Sequence, residues 1–239
     1  MSSTTVAPFR FKQFIIKQDQ CPMKVGTDGT LLGAWATATT PQHILDIGTG
    51  TGLIAIMLGQ RFSDTQVEAV EIDETACAQA TENMQAAPWA DRLQAHSVSI
   101  QDFVKTTGRK YDLIVSNPPF FTGGTFSDRQ ARNEVRHTVK LPHGDLLSAV
   151  RNLLSPNGTF ALVLPLIEGL RFEELANSYK LYCTRKTEVR PRKENAVNRL
   201  LMQFEREEQP TKVDELVLYT ENQNERTAAY AALTEDFYL

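Results

Sequence analysis

The sequence predicts an α/β fold, in which helices cover both faces of a mostly parallel sheet of about seven strands with an antiparallel edge. Two observations support this prediction. Short apolar runs alternate along the chain with amphipathic helical stretches, a pattern that is typical of parallel sheets. One of these runs also leads directly through a glycine-rich loop into a helix, which is the order of elements in an α/β unit.

Seven apolar runs are the predicted strands. In chain order they cover residues 43–47, 66–72, 93–98, 111–116, 159–164, 182–189 and 199–205. The segments between them predict helices at 53–61, 74–86 and 144–154, and the second ends before Pro88, whose ring cannot continue a helix. A Ser-Pro-Asn-Gly turn at 155–158 is expected before the fifth strand. The last two strands are expected to pair as the antiparallel edge.

The length of the chain favours one globular unit. It has 239 residues, of which 41% are hydrophobic, and this is enough for one core but not for two full domains. We therefore expect a single domain over 1–239, with 1–40 as an N-terminal extension and 41–239 as the core sheet. Within the extension, 9–14 alternates like a strand and 28–38 predicts a helix.

Several classes of protein are disfavoured. The chain does not start with a cationic stretch followed by an apolar one, and no later segment is apolar over the thickness of a bilayer. The cysteines Cys21, Cys77 and Cys183 are widely spaced without a C-x-x-C pattern, which argues against a disulfide framework and a structural zinc site. We expect a cytoplasmic protein that binds neither metal nor membrane, and we infer no obligate protein partner.

Charge is distributed unevenly. The net charge of −4 argues against binding nucleic acid over the whole surface, because phosphates require a local excess of lysine and arginine. Such an excess exists in two clusters, which consist of Arg129, Arg132, Arg136, His137 and Lys140, and of Arg185, Lys186, Arg190, Arg192 and Lys193. A charged cluster by itself often marks only a solvated face, so either role is open for each.

The glycine-rich loop follows the first core strand in the order Asp46-Ile-Gly48-Thr-Gly50-Thr-Gly52. Glycines allow tight turns and a close approach of the backbone to a ligand, and the following helix offers free N–H groups to an anion. The spacing is G-x-G-x-G, whereas the dinucleotide fingerprint is G-x-G-x-x-G. The loop predicts a ligand site, but by itself it does not identify the ligand.

Two acidic residues are expected beside this loop, because the carboxyl ends of parallel strands meet at one edge of the sheet. Glu71 ends the second strand, where its carboxylate can accept both hydroxyls of a ribose, whereas Asp73 is better placed as a helix N-cap. Asp102 follows the third strand and can accept a hydrogen bond from the amino group of an adenine, with Phe103 packing on the ring. A helix cap is the alternative role of Asp102.

The most specific motif is Asn117-Pro118-Pro119-Phe120, which directly follows the fourth strand. The Asn117 side chain and the Pro118 carbonyl form a pair of acceptors for the two N–H groups of a planar amino group. The prolines stiffen the loop, and Phe120 is placed to stack on a base that has been swung out of its neighbours. The motif alone admits adenine, guanine, cytosine and glutamine as the group that carries the NH2.

Together, the glycine loop, Glu71, Asp102 and the Asn-Pro-Pro-Phe motif resemble the class I S-adenosylmethionine-dependent methyltransferases that modify amino groups, which have a Rossmann-like fold. The flanks resemble a narrower group, the bacterial tRNA1(Val) adenine-N6 methyltransferase family. The residues that carry this closer likeness are 24–35, Arg129, Arg132 and His137. The resemblance implies methyl transfer from S-adenosylmethionine to N6 of the adenine just 3′ of the anticodon.

The resemblance also implies roles for individual residues. The cofactor would be bound by Thr27, Asp28, Asp46, Gly48, Gly50, Gly52, Glu71, Asp102 and Asn117. The target base would be held by Asn117, Pro118, Pro119 and Phe120. The phosphates of tRNA would be bound by Arg129, Arg132, Arg136, His137, Arg190, Arg192 and Lys193. The N-terminal extension would pack on the cofactor pocket, although Asp28 also suits a helix N-cap.

Other functions fit the motif less well. A protein glutamine-N5 methyltransferase typically carries a substantial helical domain before the glycine loop, and this chain has only its short extension. A guanine-N2 ribosomal RNA methyltransferase usually has histidine where this chain has Phe121. A DNA adenine methyltransferase needs a recognition domain, for which no segment is long enough. A catalytically silent RNA-binding module is the alternative that is not an enzyme.

Overall fold

A computed structural model of the protein describes residues 6–119, 141–222 and 225–239. An eight-stranded sheet forms its centre, so the predicted α/β class is confirmed. The strands of this sheet are β3 (His43–Ile47), β4 (Gln66–Glu71), β5 (Leu93–Ser97), β6 (Tyr111–Ser116), β7 (Leu154–Pro165), β8 (Tyr182–Arg190), β9 (Arg199–Glu205) and β10 (Lys212–Val217). In the N-terminal extension, β1 (Phe9–Arg10) and β2 (Ile15–Ile16) form a separate antiparallel pair.

The strand order is β10-β8-β9-β7-β6-β3-β4-β5, and every pairing is parallel except the two that β9 makes. The predicted antiparallel pairing of the seventh strand with the sixth is therefore confirmed. The edge is different, because β10 continues the sheet in parallel to β8. This strand was not predicted, since half of the residues in its sequence Lys-Val-Asp-Glu-Leu-Val are charged.

The start of β7 also differs from the prediction. Residues 155–158, expected to form a turn before the strand, lie inside β7. Tyr111 of β6 is opposite Leu154, and Leu113, two residues later, is opposite Thr159. The Ser-Pro-Asn-Gly stretch thus forms an irregular part of the pairing between β6 and β7. The strand β7 therefore begins at Leu154, before the apolar run at 159–164 from which it was predicted.

Seven α-helices lie in the described part of the chain. They are α1 (Thr27–Trp35), α2 (Leu53–Arg61), α3 (Glu74–Gln85), α4 (Ile100–Thr106), α5 (His143–Leu153), α6 (Leu166–Ser178) and α7 (Ala228–Leu233). The predicted N-cap of α3 is confirmed, because the side chain of Asp73 accepts the Ala76 N–H at 2.8 Å. In the segments that the structure describes, no helix combines the length and apolar character needed to cross a membrane.

Side chains from alternate positions of the strands enter two hydrophobic clusters, one on each face of the sheet. Ile44 belongs to the cluster that includes α1 and α2, whereas its neighbour Leu45 belongs to the cluster that includes α5. The helices α1 and α2 cross closely, since a Cβ at Gly33 would lie 2.7 Å from the sulfur of Met57. This crossing brings the start of α1 over the carboxyl edge of the sheet.

Asp46 of β3 is fully buried below the glycine loop, residues 48–52. Its Oδ2 accepts the Thr49 hydroxyl at 2.6 Å, while its Oδ1 has no hydrogen-bond partner within the described residues. Burial raises the pKa of Asp46 to about 7, and the hydrogen bond from Thr49 opposes this only in part. The carboxyl group is therefore held in a setting that favours its neutral form.

Gly59 of α2 lies against the ring of Trp89, and a Cβ at this position would be 2.7 Å from the ring. The ring is held in place, because its Nε1 donates to the Ile56 carbonyl at 3.0 Å. Because this ring cannot yield, the cost should lie in the upper part of the overpacking range, at about 2–3 kcal/mol. This outweighs the gain of about 1 kcal/mol from replacing glycine in a helix. We expect Gly59→Ala to lower the free energy of unfolding in denaturant by about 1–2 kcal/mol.

Gly108→Ala is the matched control, because a Cβ at Gly108 would meet nothing within 4 Å. An equal loss of stability in both variants, or no loss at Gly59, would contradict the packing argument.

Asp46 generates a second prediction, on stability and pH. Because its pKa is raised in the folded protein, the stability linked to its proton is fully present below the ordinary aspartate pKa and is lost as the pH rises through about 7. Asp46→Asn removes this titration. Its free energy of unfolding relative to wild type should rise by about 1–3 kcal/mol between about pH 5 and about pH 8. Parallel pH profiles of the two proteins in denaturant unfolding would show that the argument is wrong.

Candidate active site

A cavity of about 540 Å³ opens at the carboxyl edge of the parallel strands. Its walls come from five parts of the chain, which are residues 23–29 with Leu31 of α1, the glycine loop with the start of α2, Asn117 after β6, the end of β8 with the start of β9, and Leu218 after β10. This volume lies within the range of about 300–1,000 Å³ that is usual for small-molecule sites. The site is thus at the edge where the sequence predicted it.

The three glycines of the loop all have left-handed backbones, with φ of 73° at Gly48, 56° at Gly50 and 82° at Gly52. Other residues rarely adopt such angles, which explains the G-x-G-x-G spacing. A Cβ at Gly48 would meet nothing within 4 Å. No side chain in the described residues caps the start of α2 at Gly52. The loop therefore leaves open space beside the cavity, and the uncapped first turn of α2 offers its N–H groups there.

Glu71 lies at the end of β4 beside the glycine loop, as the sequence predicted. Its Oε2 accepts the Gly50 N–H at 2.9 Å and its Oε1 accepts the Asp73 N–H at 3.1 Å. The carboxylate thus holds the loop in its left-handed conformation. The described residues that line the cavity do not include Glu71 or Asp46. Contact of these two side chains with a ligand therefore stays a prediction.

Asp102 lies in the first turn of α4 with an exposed carboxylate. It accepts the Ser99 hydroxyl at 2.9 Å and the Lys105 ammonium at 2.8 Å, and Ser99 is the N-cap of the helix. Phe103 is buried in the hydrophobic core, 6.4 Å from Tyr111 between ring centroids, and does not face the cavity. The predicted contact of Asp102 with an adenine stays a prediction.

Asn117 lines the cavity, and its Oδ1 is buried without a hydrogen-bond partner within the described residues. The strand end that carries it is fixed, because the Ser116 hydroxyl donates to the Ile47 carbonyl of β3 at 2.9 Å. Helix α1 covers it closely, since a Cβ at Gly29 would be 3.9 Å from Asn117 Nδ2. A buried acceptor without a donor costs about 1–3 kcal/mol, so this atom is suited to a ligand that supplies one.

Pro118 and Pro119 directly follow Asn117, and the described part of this segment ends at Pro119. Several predicted site residues lie outside the described residues. They are Phe120 of the motif and Arg129, Arg132, Arg136 and His137 of the first basic cluster.

Thr27 and Asp28 begin α1 and line the cavity, where they are expected from the sequence resemblance to contact the cofactor. The N-cap position is Gly26, so the alternative in which Asp28 caps the helix is wrong. The Asp28 carboxylate instead accepts the Arg199 Nε–H at 2.9 Å across the cavity lining. Arg199 was not predicted as a site residue, because nothing in the local sequence indicates a pairing with a residue so distant in the chain.

The second basic cluster divides into two parts. Arg185 stacks on Trp35 at 4.2 Å and Lys186 pairs with Glu173 at 2.7 Å, so these two stabilise the fold. Arg190, Arg192 and Lys193 lie where β8 turns back into β9, beside the part of that connection that lines the cavity. The Arg190 Nε lies 2.7 Å from a carboxylate oxygen of Glu215.

No group of three or more histidine, cysteine, aspartate or glutamate side chains among the described residues is arranged to hold a metal ion.

The fold is shared with known methyltransferases. The family model described as "Methyltransferase small domain" matches residues 25–166, more than half of the chain. A predicted O-methyltransferase from Agrobacterium tumefaciens has a TM-score of 0.69 at 14% identity, covering 88% of this chain and 96% of that one. The TYW2 protein of P. horikoshii, solved in complex with MeSAdo, has a TM-score of 0.57 at 13% identity, covering 87% and 74%. At these identities the likeness shows the fold alone.

Curated relatives are much closer in sequence. A protein of Trichodesmium erythraeum is 45% identical over 233 residues, covering 97% of both chains. Another, from Actinobacillus succinogenes, is 45% identical over 232 residues with the same coverage. Each is named tRNA1(Val) (adenine(37)-N6)-methyltransferase. The predicted enzyme class and its cofactor, S-adenosylmethionine, are confirmed. Because the similarity extends over nearly its whole length, the chain belongs to the tRNA1(Val) (adenine(37)-N6)-methyltransferase family.

Proposed function

We propose that the protein transfers a methyl group from S-adenosylmethionine to N6 of adenine 37 in tRNA1(Val), the reaction for which its relatives are named. The observation that carries the chemical part of this proposal is the buried Oδ1 of Asn117, which has no partner within the described residues. An acceptor at the wall of a cavity matches a substrate that presents an N–H group. Reaction with the amino group of a base is the simplest chemistry that uses it.

Asn117 and Pro118 would prepare the amino group for reaction. The exocyclic amine of adenine is a poor nucleophile, because its lone pair is delocalised into the ring. Asn117 Oδ1 and the Pro118 carbonyl are suited to accept one N–H each, which fixes the nitrogen and favours a tetrahedral geometry with a localised lone pair. The proline after each acceptor stiffens the loop before substrate arrives. S-adenosylmethionine, when bound, supplies a methyl group on a positively charged sulfur.

The residues around the cavity fit this cofactor. The uncapped start of α2 offers N–H groups to its carboxylate, and the open space at Gly48 allows close approach. Glu71 would accept the ribose hydroxyls and Asp102 the adenine amino group, while the carboxyl group of Asp46 lies below the loop and binds the Thr49 hydroxyl. Other proposed contacts from the lining are Thr27, Asp28, Gly50 and Asn117. In this proposal the chain is one domain, whose N-terminal extension closes the pocket.

The phosphates of tRNA would lie along the connection between β8 and β9. This connection carries Arg192 and Lys193 and is at the carboxyl edge, since β8 runs parallel to the core strands and β9 returns from their end. Basic side chains there would position the RNA without specifying its sequence. Such a substrate implies that the protein acts in the cytoplasm.

The central test is transfer of labelled methyl groups from S-adenosylmethionine to total tRNA, ribosomal RNA and protein. We expect label in tRNA, and we expect Asn117→Ala to lower kcat by about 100-fold or more, the usual effect of removing one preorganised polar group. Asn152→Ala is the matched control, because this asparagine donates only to Ser148 on the surface of α5. Label in protein alone would disprove the proposal, and label in ribosomal RNA would favour the guanine alternative.

Arg192→Ala tests the RNA surface. Loss of one phosphate contact should weaken tRNA binding and reduce the slope of log affinity against log salt concentration by about 1. Lys212→Ala is the control, since Lys212 starts the edge strand β10, which runs parallel to β8, and so lies at the opposite end of the strands from Arg192. A salt titration in which Arg192→Ala and wild type have the same affinity would remove Arg192 from the proposed surface.

A further inference from the structure

Residues 17–26, here called the N-terminal strap, connect β2 to α1 and have no helix or strand of their own. Their last four residues, from Met23 to Gly26, line the cavity opposite the glycine loop. A segment without regular structure must be placed by other contacts. The position of this wall therefore depends on the side chains that bind the strap.

The first of these side chains is Asn83 of α3, which is 2% exposed. Its Oδ1 accepts the Lys17 N–H at 2.9 Å, and its Nδ2 donates to the Lys17 carbonyl at 2.8 Å. The same Nδ2 donates to the carbonyl of Thr51 in the glycine loop at 2.8 Å. One buried amide thus joins the strap to the glycine loop.

The second is Gln79, which is one helical turn earlier on the same face of α3 and 1% exposed. Its Oε1 accepts the N–H groups of Gln20 and Cys21 at 3.1 and 2.9 Å. Its Nε2 donates to the Asp19 carboxylate at 2.8 Å. Gln79 thereby fixes the middle of the strap, just before the residues that line the cavity.

Bonds within the strap set its shape but not its position. The Lys24 ammonium donates to the carbonyls of Gln18 and Cys21 at 2.5 and 2.7 Å, and the Gln18 Oε1 accepts the Val25 N–H at 2.8 Å. These contacts close the strap into a compact loop. Its distance from the glycine loop is set by its contacts with α3, which are the buried bonds of the two amides and an exposed ion pair between Lys17 and Glu82 at 2.5 Å.

We propose that Gln79 and Asn83 are positioning residues for S-adenosylmethionine, which hold the strap against the glycine loop and so preform the cofactor cavity. Neither lines the cavity within the described residues, so they act through the backbones that they bind. A wall that is ordered before the ligand arrives lowers the ordering cost of binding. This inference rests on the cofactor of the proposed function and not on its RNA target.

The test uses Gln79→Met, which keeps the volume of the side chain without its hydrogen bonds, and Asn83→Ala, both in the full chain. In the ligand-free protein, amide hydrogen exchange should become faster at Gln20 and Cys21 in the first variant and at Lys17 in the second. The dissociation constant for S-adenosylmethionine, measured by calorimetry, should rise about 10-fold in each. KM for the cofactor should rise likewise, with kcat at saturation unchanged.

Thr65→Ala is the matched control, because it removes a buried hydrogen bond, to the Pro41 carbonyl, at the opposite edge of the sheet. Its affinity for the cofactor should equal that of wild type. Should either α3 variant fail to fold, Asp19→Ala removes one partner of Gln79 at an exposed position and should raise the dissociation constant about 2-fold.

Unchanged affinity in variants whose strap exchanges faster would overturn the positioning role, and so would an equal loss of affinity in Thr65→Ala. Failure of the wild-type protein to bind S-adenosylmethionine would instead refute the proposed function itself. Unaltered exchange at Lys17, Gln20 and Cys21 would show that the amides do not hold the strap.

Discussion

The close crossing of α1 over α2 is the constraint on which the candidate site depends. Gly33 meets Met57 at this crossing, and one turn earlier Gly29 lies against Leu53 and Asn117. Larger side chains at these positions would move α1 away from the sheet. The crossing places Thr27 and Asp28 at the cavity and covers Asn117, so a packing requirement between two helices sets the distance between the start of α1 and the strand end that carries Asn117.

Around this crossing, the irregular backbone is held by buried side chains. Glu71 binds the N–H of Gly50, Asn83 binds the carbonyl of Thr51, and Gln79 binds the strap. Backbone groups outside helices and strands need such partners when they are buried. Among the described residues, two of the four buried side-chain oxygens without a donor, Asn117 Oδ1 and Asp46 Oδ1, lie at or below the site. Asn117 lines the cavity, so a ligand and not the fold is expected to satisfy its Oδ1.

The sequence predicted the regular core and the ordered motifs well, because both are encoded in local patterns. Apolar runs located β3 to β6, and Asp73 was recognised as a cap from its position before α3. Contacts between distant segments were not predictable in this way. The pairing of Arg199 with Asp28 depends on the strand order, and β10 lacks the apolar pattern of a buried strand. For Asp102 the local pattern was ambiguous, because an acidic residue after a strand is typical both of the first turn of a helix and of a ligand contact.

Within the eight-stranded sheet, β9 is the one strand that runs antiparallel, and its direction affects which part of the site can vary during evolution. In a wholly parallel sheet, each return crosses the molecule through a helix that the core needs. Here β8 and β9 are joined by a short connection that begins and ends at the site, and Asn198 and Arg199 at its end line the cavity. This connection can lengthen or change composition while the strands on either side keep their register. The part of the cavity wall that this connection supplies can therefore change without moving Asn117 or the glycine loop.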